Sequence, residues 1–235
     1  MIIPGTSYTF SAVKPEDLGE TEYTLVTMAV DTTGSVSGFA ASLLNMVKTV
    51  IEACKKNPRS ENLLVRFTTF AGDSVTEVHG FKPLSTIDVN DYKPFRCNGA
   101  TNLYDAVLEA VGATEQYAKT LSDNDFDVNS AIYIITDGED NNSNSDASDV
   151  ATFVERLKNK EKYGMMNSVL IGINTAGCSH YLNTFKSTAK LDSYVDIVDG
   201  TPGKLAKLAG FISKSISSSS QALSNGNTPV ASLTF

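Results

Sequence analysis

Five oxygen-bearing residues stand where segments rich in strand formers run out: Asp31, Thr33, Ser35, Thr101 and Asp137. Asp31, Thr33 and Ser35 alternate along Asp31-Thr32-Thr33-Gly34-Ser35, so in an extended turn their side chains converge on one point. Thr101 sits in Gly99-Ala100-Thr101-Asn102, ahead of an apolar helical pattern, and Asp137 opens Asp137-Gly138-Glu139-Asp140. No His or Cys stands at these positions. Hydroxyls and carboxylates without soft ligands suit Mg²⁺ or Mn²⁺, and Ca²⁺ less specifically. Two carboxylates would offset the charge of a divalent ion and three hydroxyls would supply neutral ligands. At least one octahedral position is then left for water or for a group brought by a partner.

Such residues need a rigid frame. Tyr23–Asp31, Leu63–Phe70, Ser130–Asp137, Ser168–Ile173 and Tyr194–Val198 read as strands, the first and third almost wholly apolar and therefore central. Val75–Phe81 returns after Gly72-Asp73 and predicts a hairpin. Helical spacing marks Phe39 to Cys54, Leu103 to Tyr117, about Asp146 to Lys160, Tyr181 to Lys190 and Leu205 to Ile216. Strands alternating with helices imply an α/β, doubly wound, mostly parallel sheet covered on both faces. In such sheets ligands bind outside the carboxyl ends of the strands, where these five residues fall. Residues 1–22 read as an N-terminal arm, an edge strand or docking piece. Residues 23–217 read as the domain, and 218–235 as a Ser/Asn-rich linker with an apolar tail.

Asp31-x-Thr33-x-Ser35, then Thr101, then Asp137-Gly138, in this order on a βα framework, resembles the metal-ion-dependent adhesion site (MIDAS) of the von Willebrand factor A (VWA) domain family. The resemblance runs from about Tyr23 to Ser217. It implies a Rossmann-like fold with an antiparallel edge strand, and a non-enzymatic module that binds a protein partner through a partner Asp or Glu completing the metal's coordination. On that resemblance Thr33 and Ser35 are hydroxyl ligands, Thr101 is a switchable ligand, and Asp31 and Asp137 act directly or through water. Thr33 replaces the commoner Ser, and Ala100 the commoner Gly. Intracellular microbial members often work with AAA+ ATPases, which suggests an adaptor. The alternative is a structural subunit of a larger, possibly viral, assembly docking through its termini.

Each residue also has a plainer reading. Asp31 and Ser35 would serve as caps of the first helix, Thr101 as cap of the next, and Asp137-Gly138 as a turn. Glu139 and Asp140 read as solvated loop residues, and His79 and His180 as surface residues. Neither Asp140–Ala151 nor Asp123–Ile134 makes a calcium loop, because Ser145 or Val128 stands where Gly is needed and Ala151 or Ile134 where the bidentate Glu belongs. No G-x-G-x-x-G follows the first strand, no Walker A lysine loop is present, and Gly34–Gly38 has Val at its centre where a nucleophile elbow needs Ser. A metal-dependent hydrolase is the remaining enzymatic reading, with Glu139 or Asp140 as its base.

Acidic residues outnumber basic ones, 27 against 19, for a net charge of −8 over 235 residues, which argues against nucleic acid as the main partner. No apolar run approaches the ~18 residues needed to span a bilayer. Met1–Gly5 has no signal-peptide pattern, and three cysteines form no disulfide framework. These features predict a cytoplasmic protein or a phage-encoded, virion-associated one.

Overall fold

The computed structural model describes residues 1–158 and 165–225. Six strands, β1 (Glu22–Asp31), β2 (Leu63–Ala71), β3 (Ser74–Pro83), β4 (Asp127–Thr136), β5 (Met166–Ile173) and β6 (Ser193–Ile197), form one sheet in the order β3-β2-β1-β4-β5-β6. All neighbours are parallel except β2 and β3, whose antiparallel pairing places β3 at one edge. The strand order reverses between β1 and β4, so the crevice for a ligand opens at their carboxyl ends.

The apolar runs explain this order. Every residue of β1 from Tyr23 to Asp31 is buried, as a central strand covered on both faces requires. Val26, Met28 and Val30 face α1 (Ala40–Lys55) and α5 (Pro202–Asn225), together with Val47, Val50, Leu208 and Ile212. Leu25 and Ala29 face the opposite core, built with α2 (Leu103–Ser122), α3 (Ala147–Lys158) and α4 (Ser179–Thr188). Burying each large aliphatic side chain contributes about 1.5–3 kcal/mol, so the two cores hold the sheet from both sides.

The N-terminal segment packs against the domain. Ile3 and Phe10 of the N-terminal segment are buried, Phe10 meets Phe81 edge to face, and the Tyr117 hydroxyl donates to the Val13 carbonyl (2.8 Å). Gly112 in the middle of α2 makes room for this arm. A Cβ there would lie 2.5 Å from Ile3 Cγ2. At the other end α5 runs through Ser217–Asn225, the stretch expected as a linker. Ser219 and Ser220 are buried, the Asn129 side chain donates to the Ser219 carbonyl (2.6 Å), and Arg59 Nε donates to Ser220 Oγ (3.1 Å). Packing overrides the weak helix propensity of serine. The tail Pro229–Phe235, and the end of the helix expected to reach Lys160, lie outside the described residues. Among the described residues no helix is long and apolar enough to cross a membrane.

Candidate metal centre

Parallel pairing of β1 with β4, Val30 opposite Ile135, brings the next residues, Asp31 and Thr136, together at the carboxyl end of the sheet. Asp31 is fully buried. Its Oδ1 accepts the Thr33 backbone N–H (2.8 Å) and its Oδ2 accepts the Thr136 hydroxyl (2.7 Å). The Ser35 hydroxyl donates to Asp137 Oδ1 (2.9 Å) and lies 3.1 Å from Thr33 Oγ1. Because Ser35 has spent its one proton on Asp137, Thr33 is the donor in that second bond. Asp31, Thr33, Ser35 and Asp137 thus form one connected oxygen cluster. Thr101 lies beside it across Gly138, its hydroxyl 3.8 Å from where a Cβ on Gly138 would sit.

The capping readings fail on geometry. After Ser35 the chain makes a 3₁₀ turn over Gly34–Gly38, and α1 starts only at Ala40, with Phe39 at its N-cap. Neither Asp31 nor Ser35 caps it. The N-cap of α2 is Asn102, whose side chain makes no cap bond. The free N–H groups there go to the β4–α3 loop instead. The Tyr104 N–H donates to Asp140 Oδ2 (3.0 Å) and the Asp105 N–H to Ser143 Oγ (3.1 Å). Asp140 is therefore a half-buried structural acceptor, not a solvated loop residue. Thr101 is relieved of capping.

The same loop fixes Thr101 by its backbone. Asn141 Oδ1 accepts the Thr101 N–H (2.7 Å), and the Thr101 carbonyl accepts the N–H groups of Asn141 (2.9 Å) and Asn142 (3.0 Å). Gly99 adopts φ +76°, and a Cβ there would meet the Gly72 nitrogen at 3.0 Å, so glycine lets this loop close on the β2–β3 turn. Thr136 and Asn141 were not singled out by sequence reasoning, although both lie in the run Ile135–Asn141. Their role depends on partners far away in the chain.

The electrostatics are one-sided. Burial raises the Asp31 carboxyl above its ordinary range. Burial, and then the nearby Asp31 charge, push Asp137 up to about 6. No basic side chain offsets either group among the described residues. Among the same residues no cluster of three His, Cys, Asp or Glu side chains exists to hold a metal, so hydroxyls must complete any ligand set. Two uncompensated carboxylates with two hydroxyls in hydrogen-bond reach, and a third alongside, fit a hard divalent cation. The two thiols nearby add no soft ligand of note. Burial and the same carboxylates keep Cys97 protonated, and Cys178 donates weakly to the Asp137 carbonyl (3.6 Å).

His79 is not a plain surface residue. Its Nδ1 lies 3.0 Å from the Gly80 carbonyl, which can only accept, so Nδ1 carries the proton and Nε2 accepts the Tyr92 hydroxyl (2.8 Å). Burial lowers its pKa, consistent with that neutral form. His180 is exposed, as expected.

The raised Asp137 gives a pH prediction. A folded-state pKa of about 6 against 3.8 means that the metal-free fold holds more protons than the unfolded chain between those values. In EDTA, this group's contribution to stability is therefore expected to fall as pH rises from about 4 to 6 and then level off. Metal binding needs the carboxylate, so the stabilisation by Mg²⁺ or Mn²⁺ should grow over the same interval. Melting curves at pH 4.5 to 7.5, with and without ion, measure both. Asp137→Asn should lose both trends, and a metal shift of equal size at every pH would refute the assignment.

At the level of sequence the chain matches no family model and no curated protein. At the level of structure it is similar to the pilus adhesin SpaC of Lactobacillus rhamnosus GG, with TM-score 0.61 and 12% identity, covering 86% of this chain and 31% of that one. It is also similar to manganese-loaded TRAP of Plasmodium vivax, with TM-score 0.50 and 17% identity over 82% of this chain and 74% of that one. The fold is VWA-like. Proximal thread matrix protein 1 of the mussel byssus, in a form with a zinc-occupied MIDAS motif, gives TM-score 0.54 and 16% identity over 83% of this chain and 46% of that one. The chain thus spans a third to a half of the SpaC and byssus proteins. In a VWA-like sheet of this order, the cluster around Asp31 occupies the crevice at the strand reversal.

Proposed function

We propose that this VWA-like chain is a divalent-metal-dependent protein-binding module, with Asp31, Thr33, Ser35, Thr101 and Asp137 as the residues that would hold the ion. The observation that carries this reading is the oxygen cluster itself: two carboxylates without a counter-charge, joined through Ser35 and Thr33 at 2.9 and 3.1 Å. When bound, a hard divalent ion supplies an electrophilic position for one more oxygen anion, most simply a partner Asp or Glu. The protein's own part is to hold Asp31 with Thr33 and Thr136 and to hold the Thr101 backbone with Asn141, while the Thr101 hydroxyl makes no hydrogen bond among the described residues. Donor hardness favours Mg²⁺ or Mn²⁺. The manganese-loaded and zinc-occupied neighbours, and the adhesin among them, support the reading.

A hydrolase is the weaker reading. Asp140, one of its two candidate bases, already accepts from Tyr104 and Ser143. Work with an AAA+ ATPase, a cytoplasmic setting, and docking of an assembly through the termini rest on sequence reasoning alone.

The test is calorimetric and uses Thr101→Ala. Metal titration should show little change, because four other ligands remain. Partner captured in Mg²⁺ and released by EDTA should bind the variant at least about tenfold more weakly. Partner affinity that survives both Thr101→Ala and EDTA places the interface elsewhere.

A further inference from the structure

Helices α1 and α5 pack on one face of the sheet, with Val26, Met28 and Val30 of β1, Tyr133 and Ile135 of β4 and Val169 and Ile171 of β5. The segment 84–98 lies over β2 and β3 on that face, and a groove of about 580 Å³ lies between this segment and the strands. Its floor is made by Phe67 and Thr69 of β2 and by Ser74, Thr76 and Val78 of β3. The wall is fixed from inside, because Tyr92 and Phe95 pack on the Phe67 ring, with centroids 5.2 and 6.3 Å away. Tyr92 is further held by the bond from its hydroxyl to His79. The groove is therefore preformed. One end closes on Thr32 and Asn98, whose N–H donates to the Thr32 carbonyl (3.1 Å). Thr32 lies between Asp31 and Thr33 in the chain, so the groove ends one residue from the oxygen cluster.

Its chemistry is specific. Val78 is 43% exposed on the groove floor, an apolar side chain left open to solvent. Lys93 and Arg96 stand exposed on the wall, and neither has an ion-pair partner among the described residues. Unpaired cations beside an open apolar strip are notable on a chain of net charge −8. Asp91 is the one acidic residue in the lining. The run from Ser74 to Val78 is about 13 Å at strand rise, the length of about four extended residues.

We propose that this groove is the subsite for an extended acidic segment of the protein partner. One carboxylate of the segment engages the metal centre, an apolar side chain about four residues along the segment covers Val78 and Phe95, and a second acidic residue meets Lys93 and Arg96. The assignment rests on the metal-dependent reading above. It adds to it which residues flank the partner's metal-binding carboxylate. Shape and apolar contact fix the segment in the groove, and the cations select its charge and speed its arrival.

An array of synthetic decapeptides with a fixed Asp, and with acidic, basic and apolar residues permuted around it, provides the probe. The full chain in millimolar Mn²⁺ should select peptides that carry an apolar residue and a second acid near the fixed Asp, and EDTA should abolish the selection. The double variant Lys93→Glu/Arg96→Glu should bind these peptides at least about tenfold more weakly and shift its preference to peptides with a basic residue in place of the second acid. Val78→Asp should weaken binding of the apolar-bearing peptides. All three substitutions are at exposed positions, so the Mn²⁺-dependent rise in melting temperature should persist in each variant. Selected peptides that bind the double variant as well as the wild type overturn the groove, as does a wild-type array with no metal-dependent acidic binder; in both cases an intact Mn²⁺ shift leaves the metal site standing. Loss of the Mn²⁺ shift in the wild type itself overturns the metal reading and the groove with it.

Discussion

Arg66→Ala is expected to destabilise the fold by about 3–5 kcal/mol, the cost of breaking a buried ion pair from one side. The Arg66 side chain on β2 is essentially inaccessible. Its guanidinium makes a two-bond fork to the buried Glu109 of α2, donates through Nε to Glu77 of β3 (3.0 Å), and lies 5.9 Å above the Phe10 ring of the arm. Glu77 in turn accepts from Ser11. One guanidinium therefore ties together β2, β3, α2 and the arm. Burial drives the Glu109 carboxyl upward and Arg66 opposes it. Without Arg66, Glu109 must take up a proton or remain an uncompensated charge. The double variant Arg66→Met/Glu109→Leu should recover most of the loss, since a well-packed apolar pair escapes the desolvation cost. Urea titration of the three proteins measures this, and an Arg66→Ala loss below about 1 kcal/mol would show that water already reaches the cluster.

Asp31→Asn should separate stability from function. The amide is isosteric, and the bonds to the Thr33 N–H and the Thr136 hydroxyl can be re-made. Its oxygen accepts from the Thr33 N–H, and its NH₂ donates to Thr136 Oγ1. The Thr136 hydroxyl then turns its proton to the Gly138 carbonyl, already 3.3 Å away. The substitution also removes a fully buried negative charge that raises Asp137. In EDTA at neutral pH, Asp31→Asn is therefore expected to melt no lower than the wild type. The stabilisation by Mg²⁺ or Mn²⁺, roughly 1–3 kcal/mol at saturating ion for the wild type, should disappear. Asp31→Ala, which leaves the Thr33 N–H without its acceptor, should lose the metal response and stability together. A retained metal shift in Asp31→Asn would remove this residue from the ligand set. A metal-free melting point well below wild type would show instead that the carboxylate charge holds the turn.

Much of this was legible in the residues themselves. The apolar runs Tyr23–Asp31 and Ser130–Asp137 mark central parallel strands because burial on both faces leaves no alternation. The Gly72-Asp73 turn marks the hairpin because turn chemistry is local. Asp31, Thr33 and Ser35 are read together because they lie within one turn, and Thr101 and Asp137 join them because strand ends in a doubly wound sheet face one crevice. Other features needed the tertiary structure. Thr136 holds Asp31 from 105 residues away, and Asn141 holds Thr101 from 40. Asp140 caps a helix that begins 37 residues before it, which no local pattern announces. Ser217–Asn225 has the composition of a linker and continues α5, because β4 and Arg59 offer its serines a packed and hydrogen-bonded berth. Arg66 looks in sequence like any charged residue in a strand, and only the approach of α2 and the arm turns it into a buried tie. Periodicity and turn chemistry are properties of neighbours along the chain, so the strands, the hairpin and the ligand candidates could be read from the residues. Burial and hydrogen-bond pairing are properties of neighbours in space, so only the fold decided which of those residues are held, which are free, and which carry the structure.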